Sequence, residues 1–132
     1  MSYLLHTDTC SSVVRDVQMV ANRFAQNAGN IHISAISITG LELWLLRFRT
    51  PLRYRQKFFN FVQTVSLIDI AEPIAHRAAM IGSRLRAQGQ RMGLADLLIA
   101  ATSIECGLSL VTRKLPLFST IPALTVLDWS VP

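Results

Sequence analysis

Asp96-Leu97-Leu98-Ile99-Ala100-Ala101-Thr102-Ser103-Ile104-Glu105-Cys106-Gly107-Leu108-Ser109-Leu110-Val111-Thr112 decides the fold class. Asp96 to Glu105 reads as a helix apolar on nearly all sides, and such a helix belongs in the middle of a fold. Gly107 stands where a left-handed C-cap would close it. Leu108 to Thr112 then reads as a strand. Short strands alternating with helices build an open parallel sheet covered on both faces.

The same pattern extends in both directions. Tyr3-Leu4-Leu5 is a short apolar run that stops at the polar cluster His6-Thr7-Asp8-Thr9, so it reads as a buried strand. Ser11 or Ser12 caps a following helix that carries Val13, Val17, Val20 and Phe24. Ile31 to Ile36 alternates and favours β-branched residues, which predicts a strand. Thr39 is positioned to cap the next helix, and Leu52 to Val65 forms another. Leu67 to Ile70 is a strand, Ala71 to Gln88 a helix, and Leu124 to Leu127 the last strand. The expected order is β-α-β-α-α-β-α-α-β-β. This is one α/β domain over residues 1–132, a three-layer α/β/α arrangement with a central, mainly parallel sheet.

Composition narrows the function classes. Of the 132 residues, 51% are hydrophobic and 16% charged, the opposite of a disordered chain. No apolar run approaches the roughly 18 residues of a membrane span. The N-terminus has no basic region and no long apolar stretch, so the expected location is cytoplasmic. Cys10 and Cys106 sit in no metal-type spacing and are expected as reduced thiols. No glycine-rich phosphate loop and no HExxH pattern is present. Thirteen Lys and Arg against eight Asp and Glu give a net charge of +5. That balance suits either a polyanionic partner such as nucleic acid or a basic surface kept for solubility.

Ligands bind open α/β sheets beyond the carboxyl ends of the strands. His6 and Asp8 fall there after the first strand, and Arg113 and Lys114 after the fourth. Glu42 and Asp96 lie near the starts of two helices on otherwise apolar segments. Each acid has an ordinary alternative: Asp96 as a helix cap, Glu42 as a solvent-facing residue. A functional role requires the two to converge on one metal ion. Arg47, Arg49, Arg53, Arg55 and Lys57 form a basic stripe interleaved with Phe48 and Tyr54. It is either a phosphate- and base-binding surface, a face for an acidic tail, or a solvated helix edge.

These blocks resemble a known family. Tyr3-Leu4-Leu5-His6-Thr7-Asp8-Thr9-Cys10 resembles the opening strand, LLDTN or LLDTD, of PIN-domain ribonuclease toxins of the VapC type. Thr39-Gly40-Leu41-Glu42-Leu43 resembles their TxxEL helix start, Asp96 to Thr102 their DLLIAA helix, and Leu110-Val111-Thr112-Arg113 with Phe118 and Ile121-Pro122 their LVTRNxxDFxxIPGL block. The resemblance implies a twisted parallel sheet between helices. It implies Mg²⁺- or Mn²⁺-dependent cleavage of RNA, often tRNA or rRNA, in a type II toxin–antitoxin system. A cognate antitoxin that blocks the site and a homodimer are also implied. Catalytic positions carried over are His6, in place of the family Asp, with Glu42 and Asp96. Metal ligands are Glu42, Asp96 and Asp8, and nucleic-acid contacts are Arg113, Lys114, Arg47 and Arg49.

The departures fall on the acids. His6 replaces the first-strand Asp, Lys114 the fourth-strand Asn or acid, and Leu117 the acid before the Phe. Mg²⁺ prefers oxygen ligands. A neutral imidazole supplies no negative charge, and an ammonium at the pocket opposes a cation. His6 reflects natural decay, selection or engineering against a toxic activity, or a softer metal such as Mn²⁺. Two readings follow: a metal-dependent endoribonuclease scaffold with an impaired metal site, or an inactive module that binds antitoxin or RNA without cleaving. Glu42 and Asp96 are expected to share one ion, and Trp44, Phe48, Phe58 and Phe61 to form an apolar groove or dimer face.

Overall fold

A three-residue strand can lie at the centre of a sheet only if every side chain it carries is apolar and both its edges are paired. β1 (Tyr3–Leu5) meets both conditions. In the computed structural model, which describes residues 1–47 and 49–132, β1 pairs in parallel with β2 (Ile31–Ser34) on one side and β4 (Ser109–Val111) on the other. β3 (Ser66–Ile68) pairs with β2, and β5 (Val126–Leu127) with β4, giving the order β3-β2-β1-β4-β5 with every strand parallel. The chain builds outward from β1 in one direction, then returns and builds in the other.

Strand side chains alternate between faces, and two core clusters divide accordingly. Leu5, Ile31, Ile33 and Val111 face α1 (Thr7–Val14), α2 (Gln18–Gln26), α3 (Ala35–Arg47) and α4 (Leu52–Thr64), with Cys10, Val14, Leu41, Phe58 and Phe61 filling the layer. Leu4 and Leu110 face the other way. They meet α5 (Glu72–Ala87), α6 (Leu94–Cys106) and α7 (Leu115–Phe118) through Leu85, Ile99, Ala100 and Phe118. The expected three layers are present. The near all-apolar segment is α6, packed on α5 and on the sheet, and Gly107 closes it at φ 66° as expected.

Five local expectations are corrected. The helix carrying Val13 to Phe24 is two helices, because Asp16 adopts φ 58° and turns the chain between α1 and α2. An ion pair from Lys57 of α4 to Asp16 holds that turn, so one member of the basic stripe is already paired. Neither Ser11 nor Ser12 caps a helix, since α1 starts at Thr7; the Ser12 hydroxyl donates to the Asp8 carbonyl within it. The strand expected to Ile36 stops at Ser34, whose hydroxyl accepts the Ile36 N–H at 3.1 Å and satisfies a free donor at the start of α3. Thr39 therefore lies inside α3 rather than at its start. Parallel pairing of β4 with β5 also requires a crossover, and α7 occupies it where two successive strands were expected.

Among the described residues no helix is long and apolar enough to cross a membrane. Among the described residues Phe118 is the largest fully buried side chain, and it seals the layer beneath the sheet's carboxyl edge. Phe118→Ala should cost about 3–5 kcal/mol, measured as a lower urea midpoint with an unchanged m-value.

Candidate functional site

The topology fixes where a site can form. β1 and β4 are neighbours at the point where strand order reverses, and crevices in open α/β sheets open beyond the carboxyl ends at such a point. His6 leaves β1 there, Thr112 leaves β4, and the first turn of α6 brings Asp96 to meet them.

His6 is the centre of the cluster and is only 3% exposed. Its Nε2 lies 2.8 Å from Asp96 Oδ1, and its Nδ1 lies 3.1 Å from Asp8 Oδ1. The two ring nitrogens point to opposite sides of the imidazole, so the ring stands between the two carboxylates. Thr112, fully buried, binds the arrangement to β4. Its hydroxyl donates to Asp8 Oδ2 at 3.2 Å, accepts the Lys114 N–H at 3.1 Å and lies 3.2 Å from His6 Nδ1. The Arg113 backbone N–H donates to Asp8 Oδ2 at 3.1 Å. Lys114 Nζ stands 3.9 Å from Asp96 Oδ2, and the Phe118 ring meets His6 edge-on at 5.2 Å.

Electrostatics follow from this packing. Burial alone would lower the His6 pKa, but the hydrogen bonds and charges of Asp8 and Asp96 outweigh it and raise the value above 6.5. Burial alone would raise Asp8; the hydrogen bond and charge of His6, with the Arg113 N–H and Thr9, hold it at about 2 instead. The His6 hydrogen bond lowers Asp96 against a burial effect of opposite sign, with further help from the His6 and Lys114 charges. The cluster therefore sets an imidazole whose protonated form is favoured between two carboxylates, with an ammonium at the rim. Cys10 is fully buried and its thiol pKa is pushed up, so it offers no thiolate.

Glu42 does not join this cluster. It is exposed and lines a separate apolar groove between α3 and α4, with Ile38, Leu46, Phe58, Phe59 and Val62. Gly40 lines the His6 cavity in its place. Two helical positions are about 200° apart around the axis, so a carboxylate at 42 faces away from a site that residue 40 faces. The expected sharing of an ion by Glu42 and Asp96 is thus not found; Asp96 meets His6. The early start of α3 makes the family-like Thr-x-x-Glu spacing misleading. Among the described residues no three His, Cys, Asp or Glu side chains are arranged to hold a metal ion.

The remaining candidates lie at the rim or beyond it. Arg113 and Lys114 are exposed beside the cluster. Arg47 is exposed in the last turn of α3 and Arg49 is exposed just after it. Asp96 is no cap: Gly93 is the N-cap, and the Asp96 side chain turns to His6. The expected groove exists with different walls. Phe61 is buried core and Trp44 lines the His6 cavity, while Leu46 and Phe59 are the exposed groove residues; Phe48 lies outside the described residues. Sequence reading missed Thr112, Gly40 and Trp44, and only the first had a signal, its place directly after β4.

A family model described as PIN domain matches residues 11–114, more than half of the chain. The chain belongs to the PIN domain family. Among curated proteins this PIN domain is 28% identical over 130 residues to a ribonuclease VapC of Haemophilus influenzae, covering 98% of each chain. It is 25% identical over 130 residues to a tRNA(fMet)-specific endonuclease VapC of Salmonella typhimurium, again covering 98% of each. Among solved structures, the PIN domain resembles a chain of DNA-bound VapBC from Salmonella typhimurium with TM-score 0.90, 25% identity and 98% coverage of both. It also resembles a chain of VapBC2 from Rickettsia felis bound to a promoter DNA fragment, with TM-score 0.89, 26% identity and coverage of 98% and 99%.

The paired cluster gives this PIN domain a pH signature. The His6 pKa is raised in the fold, so its contribution is fully present below about 6.5 and is lost as pH rises through the folded value. Asp8 is lowered from 3.8 to about 2, so its contribution is present above 3.8 and is lost as pH falls toward 2. Urea unfolding across pH 2–9 should show both limbs, and His6→Gln should remove the alkaline one.

Proposed function

We propose that this chain is the toxin-type member of a toxin–antitoxin pair, a cytoplasmic VapC-type PIN domain over residues 1–132. We also propose that its ancestral metal centre is closed by His6. In this reading it binds an antitoxin and RNA, tRNA being the class that one relative's name prints, without divalent-metal-dependent cleavage. One observation carries it: both nitrogens of the buried His6 ring are held by Asp8 and Asp96, the carboxylates a metal would need.

The donor set supports this. A bound Mg²⁺ or Mn²⁺ would supply an activated water and stabilise phosphate charge. Mg²⁺ requires several oxygens converging in near-octahedral geometry. Here an imidazole separates the two acids, Gly40 presents no side chain, and Lys114 brings a positive charge to 3.9 Å from Asp96 Oδ2. Leu46 at 76% exposure and Phe59 at 65%, beside the α3–α4 groove, support a protein partner there, because exposed apolar patches mark partner surfaces. An antitoxin or a second copy in a homodimer would each cover such a surface.

A second reading, residual nuclease activity, is favoured by the retention of Asp8 and Asp96 at the carboxyl edge, with side chains 23% and 19% exposed. Calorimetry with Mg²⁺ and Mn²⁺, followed by cleavage assays on tRNA and rRNA, separates the two. The wild-type chain should show no ion binding at millimolar concentration and no cleavage. His6→Asp with Lys114→Asn should gain some affinity, and adding Gly40→Glu should gain more, because position 40, not 42, faces the cavity. Cleavage by the wild-type chain would remove the proposal in favour of the nuclease.

A further inference from the structure

The cavity around His6 has a second wall that the paired carboxylates do not explain. It is formed by Gly40, Leu41 and Trp44 of α3 and Thr7 and Ser11 of α1, with Lys114 also lining it, and has a volume of about 340 Å³. That volume lies within the roughly 300–1,000 Å³ of small-molecule sites. Gly40 and Trp44 are one helical turn apart, so they share a face, and the Trp44 side chain leans back over the turn that residue 40 occupies. Any side chain at position 40 would fill this space: a Cβ there would already lie 3.0 Å from Thr7 Cγ2. With glycine, the half-buried indole borders the opening.

Trp44 is also supported from behind. Its ring meets Tyr54 with centroids 6.0 Å apart and planes tilted by 36°, and the Arg53 guanidinium covers the Tyr54 ring at 4.9 Å. An aromatic ring and an exposed ammonium that line the same cavity match the two parts of a nucleotide. Bases stack on aromatic rings regardless of sequence, and phosphates seek Lys. Bare carboxylates would repel such a ligand, but Asp8 and Asp96 are both taken up by His6.

Resting on the proposed RNA-binding reading, we infer that this cavity takes one unpaired nucleobase stacked on Trp44, with its phosphate on Lys114. The ligand chemistry is a nucleoside monophosphate unit, either free or as part of single-stranded RNA.

Fluorescence tests this directly. Trp129→Phe leaves Trp44 as the single tryptophan, and Trp129 is buried against Tyr3 and does not line the cavity. This chain is titrated, in EDTA, with a single-stranded ten-residue oligouridylate, an oligoadenylate and each nucleoside monophosphate. Emission should fall by about half or more at saturation, as expected for a stacked base. Quenching by the monophosphates assigns free nucleotide as a ligand; quenching by the oligomers alone assigns RNA; either supports the inference. In parallel filter binding, Trp44→Ala should weaken oligomer affinity about tenfold or more, and Trp44→Phe much less. Lys114→Gln should reduce the salt slope by about 0.7, one phosphate on a single strand. If Trp44→Ala fails to fold by circular dichroism, the quenching and the Trp44→Phe and Lys114→Gln results decide. Oligomer bound with Trp44 emission unchanged would place RNA elsewhere and overturn the inference while leaving the proposed function standing. No binding by any probe overturns it as well. Metal-dependent cleavage, the outcome that defeats the proposed function, is scored separately and cannot occur in EDTA.

Discussion

His6 sits at a junction of three chain segments, and the local structure is arranged around the charge it carries. β1 delivers the ring, α6 delivers Asp96 to one nitrogen, and the start of α1 delivers Asp8 to the other. Thr112 closes the circuit from β4. An ionised group with 3% exposure is tolerated only when its hydrogen bonds are satisfied and its charge is opposed. Here both conditions are met from opposite sides of one ring. The same contacts tie the N-terminal strand to elements formed near the other end of the sequence.

Much of this is legible in the amino-acid sequence. The all-apolar run at 97–101 could only be an interior helix, and Gly107 had only one conformational use there. The carboxyl-edge rule placed His6, Asp8, Arg113 and Lys114 together, and Asp96 meets them from the start of α6. Glu42 was misplaced for a definite reason. Ser34 captures the Ile36 N–H and starts α3 four residues before Thr39, so the residue facing the pocket is Gly40. A glycine gives no chemical signal in a sequence; its role appears only as space. The break at Asp16 was illegible for a similar reason, since its left-handed backbone is held by Lys57 from a helix distant in sequence.

The surface shows how neighbouring residues of one helix serve different ends. On α3, Leu41 and Leu45 are buried, Gly40 and Trp44 border the His6 cavity, and Glu42 and Leu46 border the groove toward α4. Three stripes about a third of a turn apart are what 3.6 residues per turn allows. Substitutions only one or two positions apart on this helix therefore act on stability, the pocket or the groove.

The central position of β1 also sets when the protein can become whole. β1 is made before both of its partners, yet one of them is β4, and the contact between Thr112 and His6 spans 106 positions. During synthesis the segment from β1 to β3 emerges first, with one long edge of β1 unpaired and His6 lacking Asp96. Such long-range closure is slow and leaves strand edges open. A ribosome-bound chain thus carries no assembled pocket until α6 and β4 have been made, which confines any activity of the cavity to a chain that has already closed its sheet.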